Sequence, residues 1–461
     1  MKRYFSWTTM ACFVVCLCAV GNAFATNGYF THGIGTKNKA MAGSGIALPE
    51  DAIDVTNNPA VAPFVGDHLG FGAALFSPIR KYSTTDSLAN GHCGPQGCAF
   101  TIGPNNLNSK SKYFVIPHIS KSWQLSNESA WAISFYGRGG MNTDWKGGTA
   151  SFSPFGPAED PVTAPGTFGA GNAGVNLSQA FLDITWGKKL NDRFSLGISA
   201  VLVAQMFKST GLATFAPFTE TFAASGGAQF PDSLTNNGHD WSFGGGLKVG
   251  LHAPLSDSFS VGLAYQTKIY MSKLDDYSDL FAEQGDFDIP ADLKFGVTFH
   301  ANKDLAFNFD FEYIWFSQVD AVGNSIANLF ACPSLNPSSL DFSSCLGGDN
   351  GGGFGWDNMA IYKIGMAWRA GQDWTWRAGY SYGKQPIPES EMTFNILAPA
   401  TIESHVTAGF TFSRVKNREW NVALMIAPNK SVTGPQNFDT TQDVTLKMHQ
   451  WELEVSYGMR F

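Results

Sequence analysis

Charged residues at alternate positions are the first candidates for chemistry in this chain of 461 residues. Asp310 and Glu312 alternate with Phe309, Phe311 and Tyr313, and Lys363, Arg369 and Arg377 take polar positions in the two runs that follow. On adjacent strands such opposite charges brace a wet interior as ion pairs. Lys363 or Arg377 can instead meet the carboxylate headgroup of a ligand. Glu403 and His405 share a face as well. No Gly-x-Ser-x-Gly elbow is expected, and no serine is assigned to His118 or His405, so a lipid hydrolase is the weaker reading. The run Gly43-Ser44-Gly45-Ile46-Ala47-Leu48 lacks the third glycine and the preceding strand of a nucleotide-binding loop.

The cysteines depend on the compartment. Lys2 and Arg3, the apolar run Met10 to Val20 and the small-residue site Ala23-Phe24-Ala25 read as a secretory signal peptide over residues 1–25. The apolar run is shorter than the roughly 20 residues of a membrane-spanning helix. Cleavage removes Cys12, Cys16 and Cys18 and leaves four cysteines for an oxidising compartment. Sequence proximity favours local disulfides, Cys93 with Cys98 and Cys332 with Cys345, among the three possible pairings. Neither pair has a histidine at ligand spacing, so no metal is expected, and no cofactor.

Apolar side chains cluster in two stretches rich in turn residues. Leu212, Phe215, Phe218, Phe222 and Phe230 fall within 208–239, and Leu274, Tyr277, Leu280 and Phe281 within 273–290. Exposed apolar patches of this kind mark binding surfaces, here a substrate groove. The plainer reading is that they pack the loops together or touch lipopolysaccharide. Gly137, Gly139 and Gly140 put three glycines in four positions of one run, which favours a bulge or bend over a plain strand end.

These residues need elements to position them. Fourteen runs alternate apolar with small or polar residues: 67–82, 113–123, 129–142, 180–190, 193–207, 240–253, 258–272, 291–301, 304–316, 358–370, 373–384, 401–413, 418–429 and 446–461. Each gives a strand with one greasy and one wet face. Short polar turns alternate with long connections, 83–112, 143–179, 208–239, 273–290, 317–357, 385–400 and 430–445. Aromatics recur at the ends of runs, at Trp123, Trp186, Trp241, Trp315, Trp356 and Trp420. This pattern predicts an all-β fold, a 14-stranded antiparallel transmembrane β-barrel over 67–461, monomeric in an outer membrane of lipid and lipopolysaccharide. A soluble sandwich does not need aromatics at both strand ends. Composition agrees: 50 glycines, 14% aromatic and only 15% charged residues at a net charge of −8. Mean hydropathy of −0.08 argues against a bundle of membrane helices, and a pI near 5.6 without basic runs argues against nucleic acid as a partner. Residues 26–66 do not alternate and are too apolar for a linker, so they are expected to fold as a plug in the barrel lumen.

Short motifs carry a family resemblance. Asn27-Gly28-Tyr29-Phe30, His32-Gly33-Ile34-Gly35-Thr36-Lys37, Ala40-Met41-Ala42-Gly43-Ser44-Gly45 and Asn58-Pro59-Ala60 resemble the N-terminal hatch of the long-chain fatty acid transport family, the FadL-like outer-membrane channels. Gly137-Arg138-Gly139-Gly140-Met141-Asn142-Thr143 resembles that family's kinked third strand. Tyr265-Gln266, Leu280-Phe281 and Gly285-Asp286-Phe287-Asp288-Ile289-Pro290 also match, so the resemblance spans essentially the mature chain. It implies a route for long-chain fatty acids or other hydrophobic compounds from an external groove to an internal pocket, then sideways through the wall at the kink. Phe30 and Asn58-Pro59-Ala60 would belong to the gate, the latter contacting the kink. Relatives carry fatty acids or aromatic hydrocarbons, and the residues do not choose between them. A general diffusion porin accounts for neither the plug nor the apolar loops.

Overall fold

The computed structural model describes residues 27–92, 100–153 and 159–461. The expected signal peptide over residues 1–25 and the expected Cys93–Cys98 pair lie outside the described residues.

Fourteen long strands form the wall. They are β1 His68–Thr84, β2 Phe114–Gln124, β3 Ser129–Asn142, β4 Gly174–Asn191 and β5 Phe194–Thr210. β6 Asp240–Pro254, β7 Phe259–Gln266, β8 Asp292–Asn302, β9 Leu305–Ile314 and β10 Met359–Ala370 follow. β11 Trp374–Gly383, β12 Ser404–Phe412, β13 Arg418–Gln436 and β14 Asp439–Arg460 complete the series. Each pairs antiparallel with its neighbours in sequence, and β1 pairs with β14 from His68↔Arg460 to Thr84↔Val444, so the barrel is closed. Two short segments, Asn105–Asn108 and Tyr270–Met271, extend the same sheet at its long-loop end.

Alternation sets the facing. In β14, Leu453 is 41% exposed on the outer wall while Glu454, its neighbour, is 1% exposed inside. Trp123, Trp241 and Trp420 also face outward. Trp356 does not. It is buried beside Tyr29 and Phe316, so it belongs to the interior and not to a girdle.

The connection expected at 430–445 is not a loop. β13 and β14 stay paired to Gln436↔Asp439, leaving Asn437 and Phe438 as the turn. Thr433 and Thr445, hydrogen-bonded at 2.8 Å on an exposed face, replace large apolar residues there, so the greasy stripe ends while the ladder continues. The run expected at 258–272 is interrupted after Gln266, because Thr267–Ile269 form a bulge opposite Gly246 and Leu247.

Residues 27–66 lie among the inward-facing side chains of the strands. Lys39 pairs with Glu452 and Glu454 of β14 at 2.8 and 2.6 Å, and Lys37 with Glu419 of β13 at 2.7 Å. The backbone N–H groups of Gly45 and Ile46 donate to Asp310 of β9. Gly197 of β5 and Gly379 of β11 leave room for this segment: a Cβ on either would fall within 2.2 Å of the backbone of Pro59 or Met41.

Candidate functional site

The seam between β2 and β3 is incomplete. Their ladder runs from Gln124↔Ala130 to His118↔Tyr136 and stops, although β2 continues to Phe114 against β1 and β3 continues to Asn142 against β4. Above Tyr136 the register of β3 against β4 shifts between Gly137 and Gly139, a bulge where two of the three glycines stand. The edge of β3 so exposed is met by the N-terminal segment. Thr31 N–H donates to Arg138 O and Gly140 N–H to Tyr29 O, both at 2.9 Å, and Phe30 forms an antiparallel bridge with Gly139. Lipid offers no partner to an open edge, so Tyr29–Thr31 act as a short added strand.

Arg138, between the glycines, turns inward and is buried. It donates to Asp292 at 2.7 Å and to Gln266 at 2.8 Å, approaches Glu312 at 3.7 Å and lies 4.2 Å from the centre of the Phe30 ring. The bulge is thereby tied to β7, β8 and β9 across the lumen.

Asn58, Pro59 and Ala60 do not reach this kink. Asn58 Nδ2 donates to Leu251 O at 3.0 Å and its Oδ1 accepts from Ala60 N–H, while Ser195 Oγ donates to Ala60 O at 2.8 Å. They pack against the short-turn ends of β4, β5 and β6, where Gly187, Gly197 and Gly250 make way for Pro59. Proline fixes the start of this short helical turn, which buries it as a wedge in the base of the barrel.

Under the long loops lies a narrow apolar cavity. Leu212, Phe215, Leu280 and Phe281 line it. Of the other candidates, Phe218 stacks on Phe438, Phe222 packs on Phe230, and Leu274 and Tyr277 are buried behind the wall. Sequence reading missed the rest of the lining: Val175, Phe207, Ala321, Leu346, Gly352, Gly353, Phe354, Phe394 and Leu397. Cys332 and Cys345 form a disulfide. The next residue, Leu346, is held against the loop of β5 by a parallel bridge to Thr219. A second, smaller cavity adjoins the open seam and is lined by Gly28, Arg80, Gly140–Asn142, Trp356, Ala398–Ala400 and Met448.

Neither Lys363 nor Arg377 lines these cavities. Lys363 pairs with Glu312 at 2.7 Å and donates to His32 O, while Arg377 pairs with Glu50 of the N-terminal segment and donates to Thr411. Arg369 is exposed at the short-turn end. Burial opposes charge on Glu50, yet Arg377 and Lys37 hold its carboxyl below the ordinary range. The lumen charges therefore do both: Lys363 with Glu312 and Lys248 with Asp183 brace strand to strand, while Lys37, Lys39 and Glu50 clamp the N-terminal segment. Beside the upper cavity, burial and then Asp288 push the Asp286 carboxyl up to about 7.

Ser381 does meet His405, Oγ to Nδ1 at 2.9 Å, and it stands in Gly379-Tyr380-Ser381-Tyr382-Gly383, a Gly-x-Ser-x-Gly spacing that sequence reading overlooked. The spacing acts as a nucleophile elbow only at a strand-to-helix turn, and here it lies along β11. Both side chains are buried, and His405 stacks on His32.

A closed antiparallel barrel with short turns at one end, an aromatic outer wall and an apolar cavity under its long loops defines an outer-membrane β-barrel protein. Residues 12–457 match the family described as outer membrane protein transport protein (OMPP1/FadL/TodX), and the chain belongs to that family. Among solved structures it is similar to the Pseudomonas putida toluene transporter TodX, at 16% identity over 93% of this chain and 99% of that one with a TM-score of 0.63. A Pseudomonas aeruginosa FadL homologue aligns at 16% identity over 94% and 100% with a TM-score of 0.62. The CymD monoaromatic hydrocarbon channel aligns at 16% over 95% and 99% with a TM-score of 0.56. A comparison with curated protein sequences finds no match.

Proposed function

We propose that this protein takes up hydrophobic small molecules, capturing them in the upper apolar cavity, passing them to the cavity beside β3 and releasing them sideways through the seam between β2 and β3. Residues 27–66 are the hatch in this reading. They block the straight path down the lumen, and Tyr29–Thr31 close the seam. The observation that carries the proposal is the ladder that stops at His118↔Tyr136 and is replaced by a segment from another part of the chain. An exit between strands is feasible only if the edge it exposes can be re-satisfied, and a short added strand does that.

The capture cavity has no charged side chain in its lining, and Lys363 and Arg377 are committed to other partners. That favours an uncharged cargo such as an aromatic hydrocarbon, in keeping with the toluene transporter among the similar structures. Long-chain fatty acids are the second reading, because the guanidinium-bearing Arg80 lines the lower cavity, where a carboxylate would arrive.

The test is a staple. Phe30 and Gly139 are bridge partners, and side chains at such a pair are close enough for a disulfide. The double variant Phe30→Cys, Gly139→Cys should bind toluene as purified protein but lose whole-cell uptake when oxidised, with each single variant as control. A cross-linked protein that transports at the rate of the single variants overturns the lateral route. Equilibrium competition between toluene and oleate decides the cargo class.

A further inference from the structure

The two cavities share a partition. Leu397 lines the upper cavity and the next residue, Ala398, lines the lower one. Phe354 and Trp356 divide in the same way on the facing side. The partition belongs to the connection between β11 and β12, whose short helix Met392–Asn395 folds into the barrel mouth. Its carbonyls are held from one place. Thr143 Oγ1 donates to Leu397 O at 2.8 Å and Trp145 Nε1 donates to Ile396 O at 2.9 Å. Both donors lie within three residues of Asn142, the last residue of β3, and both are buried. Asn395 fixes the other side, accepting from Trp356 Nε1 at 2.6 Å and donating to Phe354 O at 2.7 Å.

Resting on the uptake route above, we propose that Leu397 and Ala398 form an inner gate between the capture cavity and the exit cavity, and that Thr143 and Trp145 are its positioning residues. The gate hangs from the same strand that leaves β2 at the seam. A displacement of the upper part of β3 that widens the seam therefore also pulls on the two carbonyls that hold the partition, so the inner gate and the lateral exit open together. The size of the gap at Leu397 sets which cargo passes, whereas the upper cavity sets how tightly it binds. A gate residue should therefore alter flux and size selectivity while sparing affinity.

Three variants test this with radiolabelled toluene and naphthalene, each measured for binding to purified protein and for whole-cell uptake against cells lacking the protein. Ala398→Trp fills the lower cavity below the gate. It should cut uptake of both probes at least about tenfold while affinity stays within about twofold. Thr143→Val keeps the side-chain shape but removes the donor to Leu397 O. It should raise the naphthalene-to-toluene uptake ratio about threefold, the rate equivalent of one modest hydrogen bond. Thr143→Ser retains the hydroxyl and should restore the wild-type ratio. Heat-modifiable migration confirms that each variant is a folded barrel. Wild-type uptake from Ala398→Trp, or matching ratios from Thr143→Val and Thr143→Ser, overturns the gate. Wild-type protein that fails to take up either probe, or oleate, instead overturns the transport reading on which the gate rests.

Discussion

The seams β2–β3 and β13–β14 are built from the same kind of strand, yet one opens midway and the other stays paired beyond the wall. The ladder of β13 with β14 runs from Arg418↔Met459 to Gln436↔Asp439 across two register shifts, and its tip sets Phe438 among Phe100, Phe218 and Phe330. The ladder of β2 with β3 stops at His118↔Tyr136. The cause is local composition. Where β3 leaves its neighbour it has Gly137, Gly139 and Gly140, which offer no side chain to pack across the strands, and Arg138, whose partners lie across the lumen. The upper part of β14 instead has Val444 and Leu446 packed inward. A gap in a barrel wall thus takes two things: a strand drawn away from its neighbour, and a piece of chain that satisfies the edge left behind.

The sharpest way to break this comparison is at Arg138. Arg138→Ala leaves Asp292 and Glu312 buried with fewer partners, and losing one member of such a group costs about 3–5 kcal/mol. Thr433→Ala on the long hairpin removes half of an exposed Thr–Thr hydrogen bond and should change stability by no more than about 0.5 kcal/mol. Urea unfolding in lipid vesicles compares them. Equal losses would mean that the open seam is not held from within the lumen.

A smaller effect is expected above the wall. The cross-link between Cys332 and Cys345 closes a short loop whose end places Leu346 in the capture cavity. Replacing both cysteines with serine should cost those loops about 2–3 kcal/mol of local stability. Affinity for a hydrophobic probe should fall, while the circular dichroism melt of the barrel stays the same. A lowered barrel melt would show that the loops and the wall unfold as one unit.

Smaller again is the effect at the base. Asn58→Ala loses the bond to Leu251 O and the cap on Ala60 N–H, worth about 1–2 kcal/mol. Hydrogen exchange should quicken across 52–65, with the Gly140 amide unchanged. Faster exchange at Gly140 would restore the link between Asn58-Pro59-Ala60 and the kink that these contacts do not make.

What could be read from the sequence follows from the range of the forces involved. Alternation is local, so all fourteen strands were legible, and the glycines of β3 marked its bulge for the same reason. The upper part of β13–β14 was not, because Thr433 and Thr445 continue a ladder without continuing a greasy stripe. Less than half of the cavity lining was legible. Leu212, Phe215, Leu280 and Phe281 announce themselves as loop aromatics and aliphatics, but Leu346 and Phe354 of one connection and Leu397 of another reach the cavity only because those connections pack together. Lys37 and Lys39 look like solvated charges in sequence; their burial depends on Glu419, Glu452 and Glu454, nearly four hundred residues or more further on.

The mildest prediction concerns pH at the rim of the capture cavity. Asp286 sits beside Phe287, which packs on Phe281 of the cavity lining and on Tyr29 of the added strand. Burial first, and then Asp288, raise its carboxyl to about 7; Lys268 acts in the opposite sense and Glu283 in the same sense. A carboxyl whose folded pKa is raised stabilises the fold in its protonated form. That contribution is complete below the unfolded value of about 3.9, and it is lost as pH rises through the folded value near 7. Above pH 7 the loop holds a charge it would rather not bury, so the cavity should bind a neutral probe such as toluene more weakly at pH 8 than at pH 5. Asp286 is partly exposed, so solvent screens the effect and the change in affinity should stay below about threefold. Asp286→Asn keeps the side-chain shape and cannot ionise. Its affinity should match the wild type at pH 5 and remain at that level at pH 8. If the variant and the wild type weaken in parallel as pH rises, the titrating group is not Asp286, and the pH dependence belongs elsewhere in the loops.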